Sequence, residues 1–281
     1  VKEKNINYVS SFDKKNHVIN FKNLLETGDN IDRHILQDKL FERQDHQFHF
    51  LLSFLKTGDV VWDIGAYIGT FAIPFAIEGM EVHAFEGFPS NFERAKINCA
   101  PYDNIKVYQC ALSNENKKVT SKFDHCTATV QEPAEIEYLV FDEYVSSRRI
   151  PRPKLIKMDI EGMESLALLG MKKILKNFRP VWQIGYHHPG DVPRNASLEH
   201  SCEKVTTYPG FVTPEEGGFD FDRFKELGYE IFDMKSTSLC LSKEDWFRWG
   251  DCNGEYLCIP GELIELREQP DGDFLIVSTY K

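Results

Sequence analysis

Residues Val60–Ala76 read VVWDIGAYIGTFAIPFA. The apolar run Val60–Ile64, interrupted only by Asp63, is short and β-branched, which predicts a buried strand. Gly65 and Gly69 then bracket the turn into an apolar helix, expected over Gly69–Ala76. A glycine just after the strand lets backbone pass close to a ligand, and the second permits tight packing of helix on strand. In open α/β sheets such a loop lies at the carboxyl end of a strand, where ligands bind at the switch in strand order. Its GxxxG spacing is neither the dinucleotide fingerprint GxGxxG nor a P-loop, which needs Gly-Lys-Ser/Thr. A pyrophosphate or triphosphate is therefore not the expected ligand, and Asp63 suits a cationic group such as an amino-acid ammonium.

Strand and helix alternate on both sides of this stretch. Strands are expected at Val82–Phe85, Lys106–Ala111, Leu155–Met158 and Val181–Tyr186, with helices at Ser90–Cys99 and Met163–Lys176 and an added strand near Val119–Phe123. That rhythm predicts an α/β fold, a doubly wound Rossmann-like parallel sheet with helices on both faces. Upstream, Phe48, Leu51, Leu52 and Leu55 recur at helical spacing within Phe41–Lys56. Tyr8–Phe12 and His17–Phe21 flank the turn-like Asp13–Asn16, a hairpin pattern. Residues 1–40 thus read as an N-terminal extension and 41–281 as the main domain. After Tyr186 the rhythm breaks into two irregular stretches, 187–218 and 236–273. Between them a short helix is expected at Phe221–Leu227 and a strand from Gly228 to Ile231, and Phe274–Thr279 alternates like an edge strand. Irregular stretches of that length are usually functional or disordered, and their aromatic content favours ordered loops around an acceptor.

Composition narrows the partners. The chain has 281 residues, 33 Lys plus Arg against 44 Asp plus Glu, and a net charge of −11. This acidic balance argues against nucleic acid, whose phosphates need clustered cations. The most apolar stretch, Ala66–Ile77, is shorter than the roughly 20 residues a spanning helix requires. Seven cysteines, an odd number with no CxxC, make neither a disulfide framework nor a structural zinc site. Cys252 and Cys258 stand close enough in sequence to pair, although buried thiols are the simpler reading. The chain begins at Val1 with a polar stretch and no signal peptide, so it reads as trimmed or as part of something longer, in a cytoplasmic setting.

Two further motifs carry chemistry. In VHAFEGFPSNFERAKIN, Val82–Asn98, Glu86 ends a strand 21 positions after Gly65, where an acidic residue grips ribose hydroxyls in nucleoside-binding α/β folds. Phe88 just beyond is suited to cover an adenine face. In KLIKMDIEGMESLALLG, Lys154–Gly170, Asp159 ends a strand at the edge expected to carry Asp63 and Glu86. Glu161 and Glu164 are expected to open the next helix, where carboxylates favour the positive dipole end.

The order DIGAYIGTFA, AFEGFPSNFERAKIN, CALS, LVFDEYV, IKMDIEGMESLALLG resembles the FkbM-type family of S-adenosylmethionine-dependent methyltransferases, over roughly Phe41–Tyr186 plus the terminal FLIV. The resemblance implies S-adenosylmethionine as cofactor. It implies that Asp63, Gly65, Ala66 and Gly69, with Tyr67 and Ile68 between them, contact its methionine and ribose part. Glu86 would take the ribose hydroxyls, Gly87 and Phe88 would follow it, and Ala111 and Leu112 would lie near the adenine. Asp159 would approach the methyl-transfer zone. The family usually carries a Glu near the end of the fifth strand, where WQIGYHH has Gly185 followed by Tyr186, His187 and His188.

Family resemblance makes an O-methyltransferase acting on a small molecule or glycan the expected function, with a sugar hydroxyl favoured. Such an acceptor needs a base; Asp159 and His187 are the candidates, with Glu161 or His188 as replacements. No metal site is assigned, although Asp159, Glu161, His187 and His188 form an alternative divalent-metal cluster. Trp182, Tyr186, Trp246 and Trp249 are candidates for sugar platforms. The alternative is a cofactor-binding module without catalysis, distinguished by cofactor binding without turnover.

Overall fold

The computed structural model describes residues 2–24, 30–37, 45–124, 129–187, 221–234, 239, 253–268 and 274–278. Alternation in the first segment produces β1 (Lys2–Val9) and β2 (Asn16–Leu24), paired antiparallel with Tyr8 opposite His17. The first strand begins well before the expected Tyr8, because Ile6 and Tyr8 supply the inward face while Phe12 is exposed beyond the turn. Then come α1 (Asn30–Leu36) and α2 (Asp45–Leu52). The latter ends short of Lys56: Ser53, Phe54 and Leu55 each donate to a carbonyl three residues back, a tightened last turn.

The central pattern follows as expected in kind: β3 (Val60–Ile64), α3 (Ala72–Ile77), β4 (Glu81–Glu86), α4 (Pro89–Cys99) and β5 (Ile105–Gln109). The three strands are parallel, with Asp63 beside Ala84 and Glu86 beside Gln109. The near-continuous burial of β3 and β4 is what a sheet covered on both faces demands, whereas β5, at the sheet edge, is partly exposed along its length. Helix α3 starts at Ala72 rather than Gly69, since Gly69 has φ +95° and cannot be helical. The strand expected over Lys106–Ala111 divides at Cys110, whose N–H donates to the Glu86 carbonyl at 3.0 Å. Beyond that point β6 (Ala111–Ser113), β7 (Lys117–Asp124) and β8 (Thr129–Val140) form a separate three-stranded sheet in the order β6-β8-β7. Sequence reading misses β8 because Pro133 interrupts its alternation, and it misses α5 (Phe141–Arg148), which is short and polar.

The remaining elements are β9 (Leu155–Asp159), α6 (Glu164–Leu169), β10 (Val181–His187), α7 (residues 221–226), β11 (Tyr229–Asp233), β12 (Asn253–Pro260), β13 (Ile264–Glu268) and β14 (Phe274–Ser278). The helix expected over Met163–Lys176 stops at Leu169, and a wide turn follows at Ile174–Phe178. Asp142 causes the break by accepting bonds from Lys173 N and Ile174 N at 2.8 and 3.1 Å. Part of the stretch 236–273 is ordered sheet, not loop. The buried run from Tyr256 to Ile259 lacks alternation, as a strand covered on both faces does, and β12 lies between β10 and β11. Strand β14 pairs with β13 in a two-stranded sheet rather than edging the main one.

The main sheet has seven strands in the order β11-β12-β10-β9-β3-β4-β5, mostly parallel, with β12 antiparallel to both its neighbours. Two compact units divide the chain: Val1–Ala111 with Asn116–Leu139 and Pro151–Leu155, and Leu112–Glu115 with Val140–Ile150 and Ile156–Lys281. The first is centred on Trp62, Phe75 and Phe85, the second on Trp182, Phe224 and Tyr229.

Candidate active site

In the first unit, the backbone from Gly65 to Gly69 is fixed at almost every residue. Gly65 N and Ala66 N both donate to the Phe85 carbonyl, at 2.9 and 3.0 Å. Tyr67 is left-handed at φ +52°, and its N–H donates to Glu86 Oε2 at 2.8 Å. The Ile68 carbonyl accepts from Asn98 Nδ2 at 3.0 Å. At Gly69 a Cβ would lie 2.7 Å from Cys99 Sγ, so the second glycine serves the close approach of α4. Burial pushes the Cys99 thiol up to about 12, with the Asp63 charge adding to the shift. That thiol is protonated and inert at neutral pH.

Glu86, 4% exposed, spreads its carboxylate over two loops. Oε2 takes Tyr67 N, and Oε1 takes Phe88 N at 2.8 Å. The two bonds tie the glycine loop to the start of α4 through one carboxylate. The next residue is equally constrained, since a Cβ on Gly87 would lie 2.8 Å from that of Ala111. Phe88 is the N-cap of α4 and is mostly buried. Asp63 is fully buried near the end of β3, and Leu112 is buried in β6.

Sequence reading missed the group behind the loop. Tyr67 Oη lies 3.0 Å from Asp32 Oδ1, and Arg94 Nη1 donates to Tyr67 Oη at 3.1 Å. Arg94 Nη2 lies 2.5 Å from Asp32 Oδ2, and the guanidinium also sits over the Tyr67 ring. Burial alone would lower the Arg94 pKa, but Tyr67 and Asp32 hold it above its ordinary value. Asp32 carries no local signal, because its partners lie 35 and 62 residues away.

In the second unit Asp159 ends β9 with its side chain 39% exposed and Lys157 Nζ 3.9 Å from Oδ2. Glu161 does not open the helix as expected: it sits in the preceding turn at φ +55°, followed by Gly162 at φ +101°. Glu164 does open α6, and its carboxylate turns back to accept Ile160 N and Gly162 N, holding that turn. His187 belongs to β10, with its backbone in register with Asn253, rather than to a loop. The side chains of Tyr186 and His187, and all of His188, Trp246, Trp249 and Cys252, lie outside the described residues. Trp182 is core, packed edge-on against Phe224 at 5.8 Å, and not a sugar platform. Cys258 is fully buried in β12. Among the described residues no group of three or more His, Cys, Asp or Glu is arranged to hold a metal ion.

A parallel sheet with a pinned glycine loop on one strand end and a buried acid on the next is the arrangement found in nucleoside-binding α/β folds. The Methyltransferase FkbM domain matches residues 63–230, and the chain belongs to that family of S-adenosylmethionine-dependent methyltransferases. It is similar to the hexuronic acid methyltransferase AglP of Haloferax volcanii, at 31% identity over 56% of this chain and 67% of that protein. It is also similar to the 31-O-demethyl-FK506 methyltransferase FkbM of Streptomyces tacrolimicus, at 42% identity over 22% of this chain and 25% of that one. A solved FkbM methyltransferase from Methylobacillus flagellatus KT aligns at 16% identity and TM-score 0.45, over 73% of this chain and 44% of its own. The chain thus spans two thirds of the first relative, a quarter of the second and under half of the third.

Proposed function

We propose that this protein transfers a methyl group from S-adenosylmethionine to a hydroxyl oxygen, with a sugar as the favoured acceptor. The observation that carries the reading is the double clamp of Glu86 on Tyr67 N and Phe88 N, which holds a glycine loop against a buried acid at the end of the neighbouring strand. That arrangement fits the cofactor: Gly65 to Gly69 offer backbone to its methionine part, Asp63 its ammonium, and Glu86 its ribose diol. Gly87, Phe88, Ala111 and Leu112 follow as the adenine side. The hydroxyl acceptor is supported by the names of the two curated relatives, one acting on a hexuronic acid and one on a demethylated oxygen.

When bound, the cofactor supplies an electrophilic methyl on sulfur. The chain then has to align the acceptor and take its proton. Asp159 is the proposed proton acceptor: it ends its strand partly exposed, with Lys157 Nζ 3.9 Å from Oδ2. Glu161 and His187 are the other candidates. A positioned base contributes about 10²–10⁴-fold, so Asp159→Asn is expected to lower kcat by that range with cofactor affinity nearly constant. Turnover within a few-fold of wild type would remove Asp159 from that role.

Glu86→Ala tests the cofactor assignment. A hydrogen bond to a charged group contributes about 1.5–3 kcal/mol, so affinity for S-adenosylhomocysteine should fall tenfold or more in calorimetry. Unchanged affinity in a folded variant would refute the ribose role.

A further inference from the structure

One face of the second unit carries a polar row across three strands. Gly185 on β10 lies directly opposite Glu255 on β12, and Gln183 lies opposite Leu257. Residues two apart on a strand share a face, so Gln183, Gly185, Glu255 and Leu257 point the same way. Asp159 of β9 points there too, because a Cβ on Gly185 would lie 2.8 Å from Asp159 Oδ1. Asp159, Gly185 and Glu255 thus form a row across three neighbouring strands, with carboxylates at its ends and between them a notch at Gly185 that the Asp159 carboxylate overhangs. Two strand spacings set the Asp159 and Glu255 backbones about 10 Å apart.

On the same face Leu257 and Phe232, paired across β12 and β11, are buried and add apolar surface beside the row. Gln183 is 4% exposed, and its Oε1 is buried with no hydrogen-bond donor among the described residues. Glu255 Oε2 is likewise buried without a donor. Buried acceptors are almost always satisfied in native proteins, so two of them on one sheet face beside Gly185 call for a ligand rich in O–H donors. Charge narrows the class. Among the described residues the cation beside this pair of acids is Lys157, 3.9 Å from Asp159, and a ligand carboxylate would meet net negative charge.

We propose that Gln183 and Glu255 bind hydroxyl groups of an uncharged sugar, making this notch the acceptor subsite and excluding uronates from it. The assignment rests on the methyltransferase reading above. It separates this chain from a relative named for a hexuronic acid.

The test is binding of methyl hexopyranosides and the matching methyl hexopyranosiduronates to the full chain saturated with S-adenosylhomocysteine, by saturation-transfer NMR titration. The neutral glycosides should bind at least tenfold tighter than the uronosides. Gln183→Leu should weaken the neutral series at least tenfold. Glu255→Gln, nearly isosteric, should narrow the discrimination against uronosides at least tenfold. Uronosides binding as tightly as neutral glycosides, no binding by any glycoside, or an unchanged affinity in Gln183→Leu would overturn the proposal. Titration of S-adenosylhomocysteine into the same three proteins separates the two claims. Failure of that titration in the wild type counts against the methyltransferase reading, whereas normal cofactor binding with the wrong sugar pattern counts against this subsite alone.

Discussion

Glu86 and Gly69 do different work for the same loop. Glu86 supplies charge and two acceptor oxygens, while Gly69 supplies the absence of a side chain against Cys99. Gly69→Ala would combine a left-handed backbone with a contact at 2.7 Å. Strain of this kind costs of order 1–3 kcal/mol, so thermal melting should drop by several degrees. A melting temperature within a degree of wild type would show that the contact is slack. Gly185 poses the same problem in the second unit, where an added methyl would meet Asp159 Oδ1. Gly185→Ala should therefore reduce turnover while leaving cofactor affinity close to wild type, and equal turnover would argue against a crowded Asp159. These glycines and acids were legible in the sequence because each answers one local demand at one strand end. Gln183 and Glu255 were not, since their importance lies in a register between strands 72 residues apart in sequence.

Helix α1 and the hairpin lean on the nucleotide-type core through buried polar groups. Glu78, at the end of α3, accepts bonds from Tyr8 Oη, Ser10 Oγ, Ser11 N and Phe12 N. Asn98 on α4 bridges Lys22 N and the Ile68 carbonyl. Residues 1–40, expected as an extension, therefore reach the glycine loop itself by way of α1. Asp32→Asn should leave Arg94 buried without its countercharge, and breaking a buried pair costs about 3–5 kcal/mol. Chemical denaturation should show that loss, and S-adenosylhomocysteine affinity should fall with it because Tyr67 loses its anchor. Full stability in the variant would mean that Tyr67 alone holds Arg94. At this scale the alternating elements from β3 to α4 and from β9 to β10 were readable from periodicity. The missed elements share a cause: Pro133 hides β8, Cys110 divides one expected strand, and β12 lacks alternation because it is covered on both faces.

Across the whole molecule the net charge is −11, and no described helix is long and apolar enough to cross a membrane. Stability should respond to mild acid through His83. Burial lowers its pKa below the ordinary 6.5, and Glu81, 3.1 Å from Nε2, offsets only part of that. The unfolded chain therefore takes the proton first. The His83 contribution is present above about pH 6.5 and is lost as pH falls through the lower folded value. The difference in melting temperature between wild type and His83→Asn should shrink between pH 7.5 and 5; a difference that grows on acidification would reverse the sign. The central claim, that the pinned loop and Glu86 bind the cofactor of a methyltransferase, is tested most directly by calorimetric titration of S-adenosylhomocysteine into the folded chain. Saturable binding with one molecule per chain, weakened tenfold or more by Glu86→Ala, is the predicted result. No binding heat from a chain shown to be folded would contradict it.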